Sequence, residues 1–485
     1  MSDNEAIQSL LTDEIDYSKS FAESQSEWIS DINNGNYSDG RVKFDNDTLT
    51  SQYNLHDMVS LPLRITPESG TFCANPQLAA KGSILSAIRG VHVSTGSGTT
   101  IIDEKDSLEF SSHLALLLEN SQDWAISNGA QLCWAKDRAF DNVFSGLITK
   151  AAIENPKTAM YTGAVSATAN SLNDKYNVGF VERNRALLDQ AIENNGTYVA
   201  DKSAGFDVTV YIPLRYIHSF FEQLDFPLIN VRLHISLYLN LTGTSSEYLP
   251  FCLGTLPAGT VETGTGVKVG LVPGEQCRLY YRRVTFKASE NHAVVDKLSS
   301  GGFKKVITYS SFEINKSFKN ISGTSSFTHK VHDGIRNAKR VWALVFPAGS
   351  VDGNKWPSPI MTGPYGLIDV NIRVNNTKQF ANEFKTLQEL WNELKKAMPP
   401  ALAGKDTASQ LTFSDFVKTH RIHCFDISRY HNNLQGKAND HVRIEVNAKV
   451  TTNAAVDIVY LVEREVKVEL NYGEKAVVIK SDIDG

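Results

Sequence analysis

The stretch that most constrains the fold is residues 206–240, where two alternating runs flank a short helical pattern. Every second residue is apolar in both runs, namely Val208, Val210, Ile212 and Leu214 in the first and Val231, Leu233, Ile235, Leu237 and Leu239 in the second. Strict alternation over this length indicates strands with one buried face. Apolar residues recur at helical spacing between the runs, at Tyr216, Ile217, Phe220, Phe221 and Leu224. The stretch therefore predicts a strand, a short helix and a second strand.

Chain length and charge set further limits. At 485 residues the chain is too long for one ordinary hydrophobic core, so two domains are expected. The net charge of −6 argues against a protein that coats nucleic acid, and we expect no direct sequence-specific nucleic-acid binding. Residues 1–16 are acidic and lack the basic start and apolar run of a secretory signal. No apolar run approaches the roughly 18 residues of a transmembrane segment, so none is expected.

Motifs for catalysis are missing from the sequence. There is no G-x-x-x-x-G-K-[ST] phosphate loop and no G-x-G-x-x-G that opens a helix. Charged residues alternate with valines near the C-terminus, at Glu463, Glu465, Lys467 and Glu469, which indicates a solvated strand face rather than an acid–base pair. The sequence predicts a protein that is not an enzyme and has no catalytic residue.

Candidate metal ligands are few and scattered. The best set is His420, His423 and Cys424, but residues three apart on a strand point to opposite faces, so we interpret them as strand residues. The cysteines are odd in number and unclustered, which favours free thiols, at Cys73, Cys133, Cys252, Cys277 and Cys424. We expect no metal, no essential disulfide and no cofactor.

Strand patterns also dominate the second half of the chain, at 305–312, 340–346, 367–374, 421–428, 441–450 and 456–470. The order of elements echoes the first half. A strand ending at Leu214 leads to Arg215-Tyr216 and a further strand, and a strand ending at Ser428 leads to Arg429-Tyr430 and a further strand. The echo predicts an all-β fold with minor helices, built from two tandem eight-stranded antiparallel sandwiches.

Domain bounds follow from this repeat. The predicted parts are an acidic N-terminal arm at 1–27, a first sandwich with insertions at 28–288, a second sandwich at 289–475 and a C-terminal tail at 476–485. We also expect a helix over Gln77–Ile88, a loop-like insertion over Thr242–Gly274 and a long helix over Gln379–Met398. The last rests on apolar residues at steps of four and three, namely Phe380, Phe384, Leu387, Trp391, Leu394 and Met398.

One predicted strand, at residues 276–287, is basic and aromatic. Its candidate interface residues are Arg278, Tyr280, Tyr281, Arg282 and Arg283. This composition suits a contact between subunits or an acidic partner. Apolar residues in two long connections, at Phe251, Leu253, Trp356 and Ile360, would form exposed patches in a monomer, and we expect a homotrimer to bury them.

The ordered set of segments resembles double jelly-roll major capsid proteins, and is most similar to those of polinton-like viruses and virophages. The segments that carry the resemblance are WISDINNGNY, VKFDNDTL, LHDMVSLPLRI, YIPLRYIHSFFEQLDFPLINVRLHISLYLN, RLYYRRVTF, AKRVWALVFP, DVNIRVNNTKQF, LQELWNELKK and VYLVEREVKVELNYGEK. Together they run from Trp28 to Lys475. The residues before Trp28 and the Thr242–Gly274 insertion are the least similar parts.

The resemblance implies a structural protein of the virion, with two jelly rolls side by side in each chain. It implies a homotrimer that forms a pseudo-hexameric capsomer, and capsomers that tile an icosahedral shell around a DNA genome. The implied partners are other copies of the chain, neighbouring capsomers, a penton protein and minor or cement capsid proteins. The protein would be made and assembled inside the host cell. Thr242–Gly274 and Asp137–Asn177 are the candidates for outward towers.

The alternative is a cellular jelly-roll enzyme or a carbohydrate-binding β-sandwich protein. A metal enzyme of this kind needs a His-x-His cluster with a downstream Glu and His, whereas His92 stands alone in its strand. A lectin of this kind is expected to have calcium loops or an aromatic platform. Metal analysis and glycan binding would separate these alternatives from a capsid protein.

Overall fold

The computed structural model describes most of both predicted sandwiches. The described residues are 21–33, 37, 40–45, 53–55, 58–72, 76, 78–137, 177–193, 202–224, 227–228, 231–242, 249–253, 266–288, 304–321, 326–349, 358–363, 365–399, 409–428, 441–451 and 455–471.

The first sandwich is formed by two antiparallel sheets. Its strands are β1 (Phe21–Ser30), β2 (Arg41–Asp45), β3 (Tyr53–Asn54), β4 (Met58–Pro67), β5 (Leu78–Ala80), β6 (Ile88–Thr95), β7 (Thr100–Glu104), β8 (Phe206–Pro213), β9 (Leu233–Leu239), β10 (Phe251–Leu253), β11 (Val267–Leu271) and β12 (Arg278–Phe286). One sheet has the order β1-β12-β4-β8, with β3 added to β12 and β11 added to β4. The facing sheet has the order β2-β9-β6-β7, and β10 pairs with β5 in a separate two-stranded sheet.

The second sandwich repeats this arrangement. Its strands are β13 (Lys304–Ile321), β14 (Phe327–Ile335), β15 (Ala338–Pro347), β16 (Leu367–Val374), β17 (Thr377–Lys378), β18 (His423–Asp426), β19 (Val442–Val450) and β20 (Val456–Asn471). The sheet orders are β13-β20-β15-β18 and β14-β19-β16-β17. Eight strands therefore correspond one for one in the two halves, and the predicted fold of two tandem eight-stranded jelly rolls is confirmed.

Short helices lie in the connections. They are α1 (Leu108–Glu119), α2 (Gln122–Ser127), α3 (Val178–Glu193), α4 (Leu214–Ile217), α5 (Ser219–Glu222), α6 (Leu387–Lys395) and α7 (Phe413–Lys418), with 3-10 turns at Ile84–Ala87 and Gly129–Leu132. In both sandwiches, helices occupy the connection between the fifth and sixth matched strands, after β7 and after β17. The repeat thus extends beyond the strands.

Alternation in the sequence explains the burial of the strands. Val208, Val210 and Ile212 of β8 are fully buried, whereas the residues between them are partly exposed. In β4, Val59, Leu61, Leu63 and Ile65 face the same core. One buried face per strand is what a two-sheet sandwich requires.

Several local predictions are wrong. Residues 78–95 form β5, a 3-10 turn and β6 rather than a helix, because Gly82 adopts a positive φ of 73° and Ser83 caps the short turn. The Thr242–Gly274 insertion contains β10, which pairs with β5, and β11, which pairs with β4. Residues 21–27, which the sequence analysis places in the N-terminal arm, belong to β1, and β1 pairs with β12. The prediction missed this strand because most of these side chains are polar.

Helix α6 begins later than its apolar stripe indicates. Thr386 caps the helix and forms a capping box with Glu389, so the helical turns start at Leu387. Phe384 lies before the helix, where its backbone pairs with Val370. Its ring packs 5.6 Å from that of Phe425. The stripe is therefore a real apolar surface, but only its second half is helical.

Removing this cap should weaken the second sandwich measurably. Thr386→Ala is expected to lower the free energy of unfolding by about 1 kcal/mol, because the Glu389 N–H at the helix start loses its acceptor, the Thr386 hydroxyl. Urea denaturation provides the measurement. Gln388→Ala, at an exposed position of the same helix, is the matched control and should stay within about 0.5 kcal/mol of wild type. Equal losses in the two variants would contradict a role for the capping box.

Candidate functional site

Helix α1 lies at the contact between the two sandwiches. Ten of its twelve residues are buried, although it joins surface strands of the first sandwich. The ring of Phe110 makes an edge contact with Phe346 of β15, with centroids 6.5 Å apart. The Glu109 carboxylate pairs with the Lys316 ammonium group of β13. The second sandwich therefore covers the side of α1 that the first leaves open.

The first sandwich also binds the free edge of β13 through hydrogen bonds. The Phe312 N–H donates to Glu104 Oε1 at 3.0 Å. The Ser219 hydroxyl donates to the Ser310 carbonyl at 3.0 Å, and the Tyr309 hydroxyl donates to the Ile101 carbonyl at 2.7 Å. The first two bonds satisfy backbone groups of the edge strand β13, and the third satisfies a backbone carbonyl of β7; these groups would otherwise need water or another strand.

Glu104 is the electrostatic centre of this contact. His218 Nδ1 accepts the Phe220 N–H at 3.1 Å, and the N–H at Nε2 is donated to Glu104 Oε1 at 3.1 Å. Ser107 donates a further bond at 2.9 Å. Burial alone would raise the pKa of Glu104, but His218 and the surrounding donors outweigh burial and hold that pKa below its ordinary value.

Neutralising this carboxylate should loosen the contact. Glu104→Gln is expected to lower the free energy of unfolding by about 1–3 kcal/mol, because the amide cannot accept all the bonds that the carboxylate accepts. The measurement is chemical denaturation at pH 7. Asp103→Asn is the matched control, since the Asp103 side chain is 45% exposed on the neighbouring position. A Glu104 variant as stable as the control would show that the contact does not depend on this charge.

A second buried network joins the sandwiches at the other end of α1. The Trp134 indole donates to Gln410 Oε1 at 3.1 Å, and the Gln410 amide donates to the Leu116 carbonyl at 2.9 Å. Lys136 pairs with Asp415 at 2.7 Å. Gln410 and Asp415 belong to the second sandwich, so the two halves are held by polar contacts at both ends of one helix.

Arg183 of α3 anchors the first sandwich beside this network. Its side chain is fully buried and pairs with Asp137 at 2.7 Å. Asn177 donates a second bond to the same carboxylate at 2.7 Å. A guanidinium group is suited to this position because it keeps its charge and directs several donors at once.

A cavity of about 480 Å³ lies between the sandwiches, lined by α1, α4, α5 and the outer face of the β13-β20-β15 strands. Glu463 lies in its wall and is buried, contrary to the solvated position expected from its alternating pattern. It accepts bonds from Arg340, Trp342 and Ser310. The prediction failed because that strand face is covered by the other sandwich, which alternation within one strand cannot show.

The basic and aromatic strand β12 lies next to the edge strand β1. Arg278 stacks over the ring of Trp28 at 4.4 Å, and the Tyr280 ring lies 6.0 Å from that of Tyr211 on β8. Arg278, Arg282 and Arg283 are exposed. The structure thus brings four aromatic and basic side chains to one outer face of the first sandwich.

Other predicted interface residues lie elsewhere. Tyr281 is buried, and its hydroxyl donates to Glu27 at 2.7 Å, while Arg283 lies 3.4 Å from the same carboxylate. The exposure expected of Phe251 and Ile360 is wrong, because both are fully buried within the chain. Pairing of β10 with β5 draws Phe251 inward. Trp356 lies outside the described residues, as does most of the Asp137–Asn177 tower candidate.

The candidate metal ligands are buried, and one nitrogen of each imidazole is hydrogen-bonded. His423 Nε2 accepts the Leu367 N–H at 2.9 Å, and His420 Nδ1 lies 2.9 Å from the Thr419 hydroxyl. Among the described residues, no three His, Cys, Asp or Glu side chains are grouped to hold a metal ion. Cys133, Cys252, Cys277 and Cys424 are buried thiols outside any disulfide. Burial raises the pKa of the Cys133 thiol to about 12.

Comparison with known proteins shows which solved structures share this fold. No protein-family model and no curated protein sequence matches the chain. Among solved structures, a chain of the Sputnik virophage, determined by cryo-EM, is similar with a TM-score of 0.55 and 10% identity, over 96% of this chain and 89% of that one. The mavirus major capsid protein is similar with a TM-score of 0.51 and 13% identity, over 94% of this chain and 90% of that one.

Both matches extend over nearly the whole chain, so they include both sandwiches. They agree with the double jelly-roll fold that the strand order defines. In the part of the chain that the structure describes, no helix has the length and apolar character needed to span a membrane.

Proposed function

We propose that this chain is a viral major capsid protein that forms homotrimeric, pseudo-hexameric capsomers of an icosahedral shell. The observation that carries the proposal is the tandem pair of jelly rolls, matched to the mavirus major capsid protein over 94% of this chain and 90% of that one. A likeness to one sandwich alone would fit many unrelated β-proteins, because sandwiches serve many functions. A likeness over both sandwiches in tandem is far more restrictive.

The arrangement of charged residues supports a structural role rather than a catalytic one. In the described residues, the strongest buried charges, Glu104, Glu463 and Arg183, are each satisfied by protein partners. Buried charges held in ion pairs and hydrogen bonds of this kind contribute to the stability of the fold. The proposed function includes a location in the virion and assembly inside the host cell. It also includes contacts with penton and minor capsid proteins, in a shell around a DNA genome.

The test is electron microscopy of the expressed full-length chain, combined with light scattering. We expect particles three times the 53.6 kDa chain mass and with a hexagonal outline, which associate into sheets or shells as the concentration rises. A folded monomer at all concentrations would contradict the trimer. Stable trimers that never associate, alone or with other capsid proteins, would contradict the shell.

A further inference from the structure

Three polar side chains from distant parts of the sequence meet beside helix α1. Glu109 lies in the first turn of α1, Asn240 directly follows β9, and Lys316 lies on β13 of the second sandwich. Glu109 is 1% exposed and Asn240 is fully buried. A carboxylate, an amide and an amine are therefore brought together by the packing of the two sandwiches.

The Glu109 carboxylate contacts both nitrogens, one with each oxygen. Oε1 pairs with the Lys316 ammonium group, and Oε2 lies 3.5 Å from the amide nitrogen Nδ2 of Asn240. The same Nδ2 donates to the Ser86 carbonyl at 2.8 Å. Because both neighbours of Nδ2 are acceptors, the amide must direct its nitrogen toward the carboxylate. One carboxylate thus connects the lysine nitrogen with the nitrogen of the asparagine amide.

The surroundings of these groups are apolar on one side and open on another. The Lys316 ammonium nitrogen lies 5.0 Å from the centre of the Phe110 ring, and Phe110 packs on Phe346. Both rings are fully buried, so they exclude water from this side of the three polar groups. The Lys316 side chain is 31% exposed, which leaves a small molecule released here a path to solvent.

We propose that Lys316 and Asn240 join in an isopeptide bond, with Glu109 transferring the protons. Glu109 takes a proton from the Lys316 ammonium group through Oε1, which leaves the amine in its nucleophilic form. The lone pair of Nζ attacks Cγ of Asn240, and the π electrons of the carbonyl move to Oδ1.

Collapse of this tetrahedral intermediate completes the exchange of one amide for another. Glu109 donates its proton to Nδ2 through Oε2 and receives a second proton from Nζ. The electron pair on Oδ1 then re-forms the carbonyl, the Cγ–Nδ2 bond breaks, and ammonia leaves. Ammonia takes the second proton away as ammonium, so the Glu109 carboxylate is restored. No oxidant, reductant or further reactant is consumed.

The bond ties the first sandwich covalently to the second and closes the loop from residue 240 to residue 316. A cross-link of this kind stabilises a protein chiefly by restricting its unfolded chain. It forms within one chain and needs no second copy, so it is independent of the capsid function proposed above.

Mass spectrometry of the folded full-length chain tests the bond, on the intact protein and after trypsin digestion under denaturing conditions. Lys316→Arg removes the nucleophile but keeps a cation beside Glu109. Glu109→Gln retains the size of the side chain but cannot take up a proton. Lys319→Arg, at an exposed position of the same strand, is the matched control. Circular dichroism confirms folding, and Lys316→Arg alone decides the test if Glu109→Gln does not fold.

We expect wild type and Lys319→Arg to be about 17 Da lighter than their sequences, through loss of one ammonia. Their digests should contain residues 306–319 joined to residues 233–268 through an uncut Lys316. Lys316→Arg and Glu109→Gln should have their full masses and lack this branched peptide. Wild type that keeps its full mass after prolonged incubation at pH 7 would overturn the proposal. An equally light Lys316→Arg would also overturn it, because the ammonia would then come from an asparagine that cyclises without lysine.

Discussion

Acidification from pH 7 to pH 4 is expected to destabilise the folded chain strongly, with the loss beginning below pH 6.5. Burial lowers the pKa of His113 and of His420 to about 4, and that of His423 to about 3, from an ordinary value of 6.5. For His423 the nearby Arg421 lowers the pKa further. All three imidazoles are almost completely buried.

The direction of this change in unfolding free energy follows from the difference in bound protons between the unfolded and folded chains. Between pH 6.5 and the folded-state pKa, the unfolded chain binds protons at these imidazoles and the folded chain does not. Stability is therefore fully present above pH 6.5 and falls as the pH decreases through this window, by about 1.4 kcal/mol per pH unit for each histidine. Below pH 4.5, loss of the Glu104 carboxylate adds to the effect, because its folded-state pKa is lowered.

His423→Gln isolates one of these contributions. Glutamine retains an acceptor for the Leu367 N–H but does not titrate. We expect the slope of unfolding free energy against pH to flatten by about 1.4 kcal/mol per pH unit between pH 6 and pH 4.5. Urea denaturation at closely spaced pH values gives the slope, with His92→Gln on β6 as the matched control. An unchanged slope in His423→Gln would show that this imidazole is protonated in the folded chain.

Arg183→Ala is expected to lower the free energy of unfolding by about 3–5 kcal/mol, because it leaves Asp137 buried without its cation. The guanidinium group also donates to the Ala135 carbonyl next to the inter-sandwich network, so its loss should loosen Trp134 and Lys136 as well. Arg183→Lys should recover only part of the loss, since an ammonium group cannot direct its donors in the same fork.

The matched control for Arg183 is two residues away. Arg185 lies on the exposed side of the same helix, and Arg185→Ala should change the free energy of unfolding by less than about 0.5 kcal/mol. Denaturation followed by tryptophan fluorescence and by circular dichroism provides the measurement. Arg183→Ala and Arg185→Ala of equal stability would show that the Asp137 pair contributes nothing net to the fold.

Strands with strict alternation could be predicted from the sequence almost residue by residue. The pattern of Leu367–Val374 gives β16 with its observed bounds, and β8 contains the predicted Val208, Val210 and Ile212, whereas the predicted Leu214 begins α4. Which face of a strand is buried depends on neighbouring residues in the sequence, so the alternation of apolar and polar residues predicts it. The start of α6 was missed because a capping box at Thr386 overrode an apolar stripe that continues through Phe380 and Phe384.

Contacts between the halves could not be predicted in the same way. Glu463 looks solvated within its own strand, yet the first sandwich buries it. Phe251 looks exposed in a long connection, yet β10 pairs with a strand about 170 residues earlier, which no spacing rule indicates. A signal did exist for α1, whose sequence LEFSSHLALLLE is apolar on more than one side, as expected of a helix covered from two directions.

The pairing of first and last strands constrains how the protein is made. Strand β1 pairs with β12, and β13 with β20, so each sandwich closes with its final strand. On a ribosome that adds about 5–20 residues per second, β1 waits roughly 13–50 seconds for β12 to emerge. The first sandwich can close before the second has been synthesised, but until β12 emerges a nascent chain exposes β1 and its neighbours to other nascent copies. Spacing of ribosomes along the message therefore influences how often unfinished chains exchange edge strands, and chaperones that shield such edges would act most usefully in this interval.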